Sequence, residues 1–275
     1  MDAESFKSYD IGEVIVEIYD QTETQIDDVR LLRELIGTPA NWRILEPFCG
    51  NGRILIPLAR DGHELVGMDQ SKPMLDSARR KISRLAADTQ ARVSLVEADV
   101  MEATWPKGFD CVILGGNCLY ELPTPEAQAQ CIRAAARSLK PGGYLYLDND
   151  HMEGTLDPSW CKKGVQKNRF PTGVCADGTQ VRGTVETIAC DVERRIARFR
   201  RTAEITTPDD QTVKKTWVEQ KHPPSTEEMC SWLSEAGFEI VQLWGDRQKT
   251  PYTDEADRAV FWAKFTDDNP GRHNE

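Results

Sequence analysis

Residues 43–71, RILEPFCGNGRILIPLARDGHELVGMDQS, constrain this chain more than any other stretch, because they hold a strand, a glycine turn, a helix and a second strand closing on an acid. Ile44 and Leu45 begin a short apolar run. Gly50, Asn51 and Gly52 interrupt it with residues that tolerate positive φ and leave the backbone bare to a ligand. Ile54, Leu55, Leu58 and Ala59 recur at helical spacing until Asp61 and Gly62 stop the helix, and residues 63–68 then form an apolar strand ending at Asp69. The result is a β-α-β unit with a carboxylate about 20 residues past its turn. Such a unit suits an adenosine cofactor: the helix start offers N–H groups to an anion, and Asp69 can accept both ribose hydroxyls. A dinucleotide fold asks for G-x-G-x-x-G, whereas Leu55 stands at the third position, which argues against NAD.

The order of elements continues in the same manner. Ser71 is placed to N-cap a helix that begins at Lys72-Pro73 and runs through Met74, Leu75, Ala78 and Ile82. Residues 92–98 read as a third strand ending in Asp99-Val100. Residues 109–114 read as a fourth, opening into Gly115-Gly116-Asn117-Cys118-Leu119-Tyr120 at the point where doubly wound sheets hold ligands. A helix over 125–139 precedes the turn Lys140-Pro141-Gly142-Gly143 and a fifth strand at 144–148.

Glu46, Gly50 and Gly52 resemble motif I of the class I S-adenosylmethionine-dependent methyltransferases, with Phe48 where the first glycine normally sits. The L-K-P-G-G-x-L run before the fifth strand and the acids Asp69 and Asp99 are similar to further hallmarks of that family. The resemblance implies a doubly wound, mostly parallel seven-stranded α/β sheet with helices on both faces, and S-adenosyl-L-methionine as cofactor. It implies a cofactor site drawn from Tyr19, Glu46, Gly50, Asn51, Gly52, Arg53, Asp69, Gln70, Met74, Asp99, Val100, Gly115 and Asn117, with Asp99 on the adenine amino group. Three of these have a second reading. Tyr19, like its neighbours in the Tyr9-Asp10 and Tyr19-Asp20 pairs, either closes over the cofactor or caps the core. Met74 either lies near the adenine or is an ordinary core methionine, and Arg53 either meets the methionine carboxylate or caps its turn.

From Asn149 the pattern changes. Residues 151–184 are rich in Gly, Pro, Lys and Asp, and β-like runs follow at 184–190, 194–205 and 211–218, the last two joined by the turn signal Pro208-Asp209-Asp210. This reads as an antiparallel insertion over the C-terminal edge of the main sheet. Arg194, Arg195, Arg198, Arg200 and Arg201 fall on one of its runs, either as a solvated edge or to hold a substrate carboxylate or phosphate. Ser225 with Glu228 makes a capping box, Gly237 ends that helix, and strands at 238–244 and 259–265 complete the chain's pattern. The expected organisation is a lid helix in 1–30, a cofactor-binding core in 31–150 and 225–266, a substrate-side insertion in 151–224 and a flexible tail at 267–275.

Composition bounds what the chain can do. A net charge of −11 argues against a nucleic-acid partner, although residues 151–224 hold 13 Lys+Arg against 10 Asp+Glu, a local +3 that leaves −14 for the remainder. No apolar run reaches membrane-spanning length and the start MDAESFKSYD is acidic and polar, so a cytoplasmic protein with no membrane partner is expected. Eight cysteines without a C-x-x-C pair, and four scattered histidines, point to reduced thiols and no metal site.

The acceptor is less legible. E-P-F-C-G-N-G also resembles the D-P-F-C-G-S-G loop of nucleic-acid amino methyltransferases, but the Asn/Asp-Pro-Pro-Tyr loop those enzymes carry after the fourth strand is here Gly115 to Tyr120, without prolines. A small-molecule N, O or S acceptor is the preferred reading. An RNA amino methyltransferase and a silent cofactor-binding protein are the alternatives. His151, just past the fifth strand, titrates near neutrality and is the candidate general base, with Tyr120 as its alternative. Equally, His151 is a turn residue or a group that positions substrate without taking a proton.

Overall fold

The computed structural model describes residues 12–37, 41–150, 152–154 and 156–266. Tyr9, Asp10, Thr38, Pro39, His151 and the tail from residue 267 lie outside them. In chain order the elements are α1 (Glu13–Thr22), α2 (Asp27–Ile36), β1 (Arg43–Pro47), α3 (Leu55–Arg60), β2 (Glu64–Asp69), α4 (Lys72–Ile82), α5 (Ala87–Gln90), β3 (Val93–Glu97) and β4 (Phe109–Leu114). They continue with α6 (Pro125–Ser138), β5 (Leu139–Asp150), β6 (Val165–Val174), β7 (Gln180–Asp191), β8 (Ile196–Thr206), β9 (Thr212–Lys221), α7 (Thr226–Glu235), β10 (Phe238–Trp244) and β11 (Arg258–Phe265). The described residues fall into two compact units. One takes in 25–119, 125–153 and 224–266, the other 12–24, 120–124 and 154–223.

The first unit is a seven-stranded sheet in the order β10-β11-β5-β4-β1-β2-β3. Strands β1 to β5 run parallel, and β11 is antiparallel to both β5 and β10. Ile44, Leu45, Val112 and Ile113 in the central strands are fully buried, the pattern of strands covered on both faces. Along β5 the two faces separate by residue parity. Tyr146 belongs to a cluster with Val29, Leu32, Leu55 and Leu58, while the Asn149 amide lies 3.6 Å from the Met229 sulfur on α7. Order reverses between β1 and β4, which opens the crevice at the carboxyl ends of those strands. Both predicted caps form. Ser71 Oγ accepts from the Met74 N–H, and Ser225 and Glu228 exchange reciprocal bonds at the start of α7. The Lys140-Pro141-Gly142-Gly143 turn is absorbed into β5, whose pairing with β4 shifts register there.

One contact sets the depth of this unit. A Cβ on Gly67 of β2 would lie 2.6 Å from Leu55 Cδ1, 2.7 Å from Cys49 Sγ and 2.9 Å from Leu95 Cδ2. The closeness of helix to strand that a third glycine gives a dinucleotide loop is here provided from the sheet side, which is why the helix can begin with a leucine.

The second unit is a four-stranded antiparallel sheet, β6-β7-β8-β9, one strand more than the sequence pattern indicates. The extra strand, β6, sits in the Gly- and Lys-rich stretch and is irregular. It approaches β7 at Gly183, where a Cβ would lie 2.0 Å from the Arg169 carbonyl oxygen. Helix α1 packs on β6 through Ile18, whose Cδ1 takes the space above Gly173, and Glu17 accepts the Ala176 N–H at 2.6 Å. Arg194 and Arg195 lie in the turn before β8, not on the strand, with Arg195 at φ 55°. Arg200 pairs across the sheet with Glu186 at 2.8 Å. Reduced thiols are not the outcome for every cysteine. Cys161 and Cys190, far apart in sequence and without motif spacing, are brought to a Cα separation of 5.4 Å and joined as a disulfide, and the other six cysteines form no disulfide.

Gly67→Ala is expected to lower stability by about 1–3 kcal/mol, because three packed groups must move for one methyl. Urea unfolding would register this as a lower midpoint with an unchanged slope. A midpoint equal to that of the parent would remove the packing role given to Gly67.

Candidate functional site

The crevice is built from strand ends. Beyond β1 the chain turns through Phe48, Gly50 and Gly52 at φ 61°, 52° and 80°, so Phe48 adopts the left-handed conformation that glycine would hold more easily. A side chain at Gly52 would meet Ile56 Cδ1 at 3.0 Å. This turn is tied to β2 by Asp69, whose Oδ2 accepts the Gly50 N–H and whose Oδ1 accepts the Ser71 N–H, each at 2.8 Å. The Ala98 N–H donates to the Asp69 carbonyl at 3.0 Å, bringing the end of β3 alongside, and Asp99 Oδ1 accepts from Met101 at 2.8 Å. Glu46, Gly50, Asn51, Gly52, Asp69 and Asp99 thus come from three adjacent strand ends. Gln70 is exposed, while Met74 and Val100 are buried in the core.

The electrostatics of the first turn are unusual. Glu46 is buried at the end of β1 and takes the backbone N–H of Leu55, the first residue of α3. The hydrogen-bond acceptor at this helix start is therefore the protein's own Glu46 carboxyl group. Burial, aided by the nearby Asp28 and Asp69 charges and opposed by Arg53, pushes the Glu46 pKa well above the usual carboxylate range. Its Oε2 is buried with no hydrogen-bond partner.

On the other side of the switch point, arginines hold the β4 and β5 ends together. Asn117 (φ 64°) donates its N–H to the Asp148 carbonyl at 3.1 Å and exchanges side-chain bonds with Asp150. Arg258 of β11 reaches Asn117 Oδ1 at 2.9 Å, Asp148 Oδ1 at 2.6 Å and Asp150. Arg247, past β10, donates to Asp148 Oδ2 at 2.8 Å and Asp27 at 3.1 Å. Burial works against the Arg247 charge, yet the Asp148 and Asp28 carboxylates outweigh it and raise its pKa. Arg53 donates to Asp28 at 2.6 and 2.9 Å and to the Gln25 carbonyl at 2.8 Å. Removing one partner from a buried pair of this kind costs about 3–5 kcal/mol, since the other charge is left uncompensated.

Sequence reasoning missed Asp28, Arg247 and Arg258. No local pattern marks them, because each meets a partner from a distant segment; Arg247 and Asp27 are 220 residues apart. Tyr19 and Tyr120 belong to the other unit, where Tyr19 packs edge-on against Phe170 with ring centroids 6.1 Å apart. His151 lies outside the described residues. Among the described residues no three His, Cys, Asp or Glu side chains group to hold a metal ion, and no helix is long and apolar enough to cross a membrane.

Residues 44–143 match the family described as methyltransferase domain. A cypemycin N-terminal methyltransferase from a Streptomyces species is 35% identical over 105 residues, which is 38% of this chain and 40% of that protein. The chain spans less than half the length of such curated relatives. Among solved structures, an S-adenosylmethionine-dependent methyltransferase from Clostridium acetobutylicum superposes with a TM-score of 0.68 at 13% identity, covering 91% of this chain and 96% of its own. A sugar N-methyltransferase from a Streptoalloteichus species gives 0.65 at 19% identity, covering 95% and 97%. At such identities the likeness is one of fold. Motif I and its acids at the strand ends, the sheet order and the matched segment agree: residues 44–143 resemble a methyltransferase domain, and the chain has the fold of the class I S-adenosylmethionine-dependent methyltransferases.

Proposed function

We propose that the protein binds S-adenosylmethionine at the β1, β2 and β3 ends and transfers its methyl group to a small-molecule N, O or S acceptor. The observation that carries this reading is the buried, half-satisfied Glu46 at the start of α3. A dinucleotide's pyrophosphate carries no N–H for that oxygen, and it is repelled whenever Glu46 ionises. A cofactor with a cationic amino-acid head supplies the donor that Oε2 lacks. Glu46 and the Gly50-Asn51-Gly52 turn would hold the amino-acid part, Asp69 the ribose, and Asp99 the adenine. When bound, S-adenosylmethionine supplies an electrophilic methyl group for in-line displacement. The protein's own contribution is then to hold the acceptor in line and to keep water out.

The activities named for similar proteins, a ubiquinone-biosynthesis O-methyltransferase and a sugar N-methyltransferase, support a small-molecule acceptor. A base is required only where the acceptor arrives protonated, and His151 and Tyr120 are the residues proposed for it. We assign acceptor choice to the insertion, residues 151–224, which leaves the core directly after β5 and returns just before α7.

Asp69→Ala should weaken S-adenosylmethionine binding at least about tenfold, some 1.4 kcal/mol, as measured by calorimetry. An unchanged affinity in a folded variant would sink the ribose assignment. Glu46→Gln has a two-part signature. Native Glu46 keeps its proton to higher pH than an unfolded glutamic acid does. It therefore erodes stability as pH rises from about 4.3, the unfolded value, to its own raised pKa, beyond which the loss is complete. The glutamine variant lacks this loss, so its stability advantage should widen through that window while its cofactor affinity falls. A pH-independent difference in urea midpoint would contradict the assigned protonation. Replacing 151–224 by a short linker should leave cofactor affinity intact and abolish turnover. Turnover of the native acceptor by the shortened chain would refute the role given to the insertion.

A further inference from the structure

Within the second unit, six side chains close a circuit on one face of the insertion's sheet. The β8–β9 register sets Phe199 opposite Glu219, so the two share a face. Phe199 meets Trp160 at a centroid distance of 5.6 Å, and Trp160 lies 6.1 Å from Tyr120. Glu121, next in the chain, accepts from Lys221 Nζ at 3.0 Å through Oε1, and Lys221 returns to Glu219 at 3.9 Å. Glu219 is 3% exposed, and its other oxygen takes Arg201 Nε at 2.5 Å. Trp160 is fixed from behind: its carbonyl accepts from Thr187 at 2.9 Å, and its neighbour Cys161 is held by the disulfide to Cys190. Half of the circuit is aromatic and half ionic. One buried acceptor in it, Glu121 Oε2, has no hydrogen-bond partner.

We propose that this circuit, Tyr120-Trp160-Phe199-Glu219-Lys221-Glu121, is the acceptor-recognition site and that it takes a protonated amine carried by the acceptor. The inference rests on the methyltransferase reading given above. A buried carboxylate oxygen without a donor is costly, and a ligand that brings an N–H relieves that cost. Half-exposed aromatic rings present negative faces that attract a cation. An ammonium meets both conditions. A hydroxyl meets only the first, an alkyl group only fills space against the rings, and a carboxylate is repelled by Glu121 once Lys221 and Arg201 are engaged with the two glutamates. The ammonium is a handle by which the acceptor is held, and no bond is made or broken at it.

The test uses the full chain and three probes of one shape, cyclohexylamine, cyclohexanol and cyclohexanecarboxylate, titrated at neutral pH against tryptophan fluorescence. The amine should bind about tenfold or more tighter than the alcohol, and the carboxylate weakest. Glu121→Gln should cut the preference for amine over alcohol to about threefold or less while S-adenosylmethionine affinity, measured by calorimetry, stays at the parent value. If Glu121→Gln does not fold, Trp160→Leu reads the aromatic half by saturation-transfer NMR and should lose the same preference. Equal binding of the three probes, or a preference that survives both substitutions, overturns the proposal. A parent protein that fails to bind S-adenosylmethionine would instead overturn the methyltransferase reading, whatever the probes do.

Discussion

A missing side chain governs the depth of the core. Because Gly67 of β2 has no Cβ, Leu55 sits down onto the sheet and α3 starts close above the end of β1. At that distance the Glu46 carboxylate reaches the Leu55 N–H. The helix start is thereby filled by an acid of the chain itself, and the turn that elsewhere suits phosphate becomes one that suits a cation. The charge that the proposed cofactor site favours thus traces back to a packing distance, two steps removed from any ligand.

The rest of the rim follows the same electrostatic logic. Carboxylates gather at the strand ends, and each is held by a different device. Asp69 is satisfied by backbone N–H groups, Asp148 by two arginines and Asp28 by Arg53. Those held by arginine form a rigid brace at the β4 and β5 ends, and those held by backbone set the shape of the turn. Among the described acids at these strand ends, Glu46 has a buried oxygen with no hydrogen-bond partner, which sets it apart chemically from acids that look alike in sequence.

Much of this was legible in the residues. Ile44-Leu45, Gly50 and Gly52, Asp69, Asp99 and the Lys140-Pro141-Gly142-Gly143 run gave the strand succession, because parallel strands buried on both faces leave short apolar runs bounded by turn residues. The capping box at Ser225 and Glu228 was readable for a local reason too: both partners lie within one turn. What stayed hidden was non-local. The brace of Arg247 and Arg258 joins segments far apart in sequence, and Cys161 meets Cys190 only because a hairpin folds between them. Strand β6 escaped because its Gly- and Lys-rich composition reads as loop. Its irregular pairing depends on Gly183 of the next strand making room.

The position of β11 carries a consequence for how the protein is made. It lies between β5 and β10, yet it is the last strand in sequence. A chain emerging from the ribosome therefore presents β5 with a bare hydrogen-bonding edge for as long as the more than one hundred residues between them take to appear. Throughout that interval the edge invites the wrong strand, including one from a neighbouring nascent chain. The four-stranded insertion, whose pairings are all between sequence neighbours, can form during the wait, so synthesis order favours completing the insertion before the core that carries it.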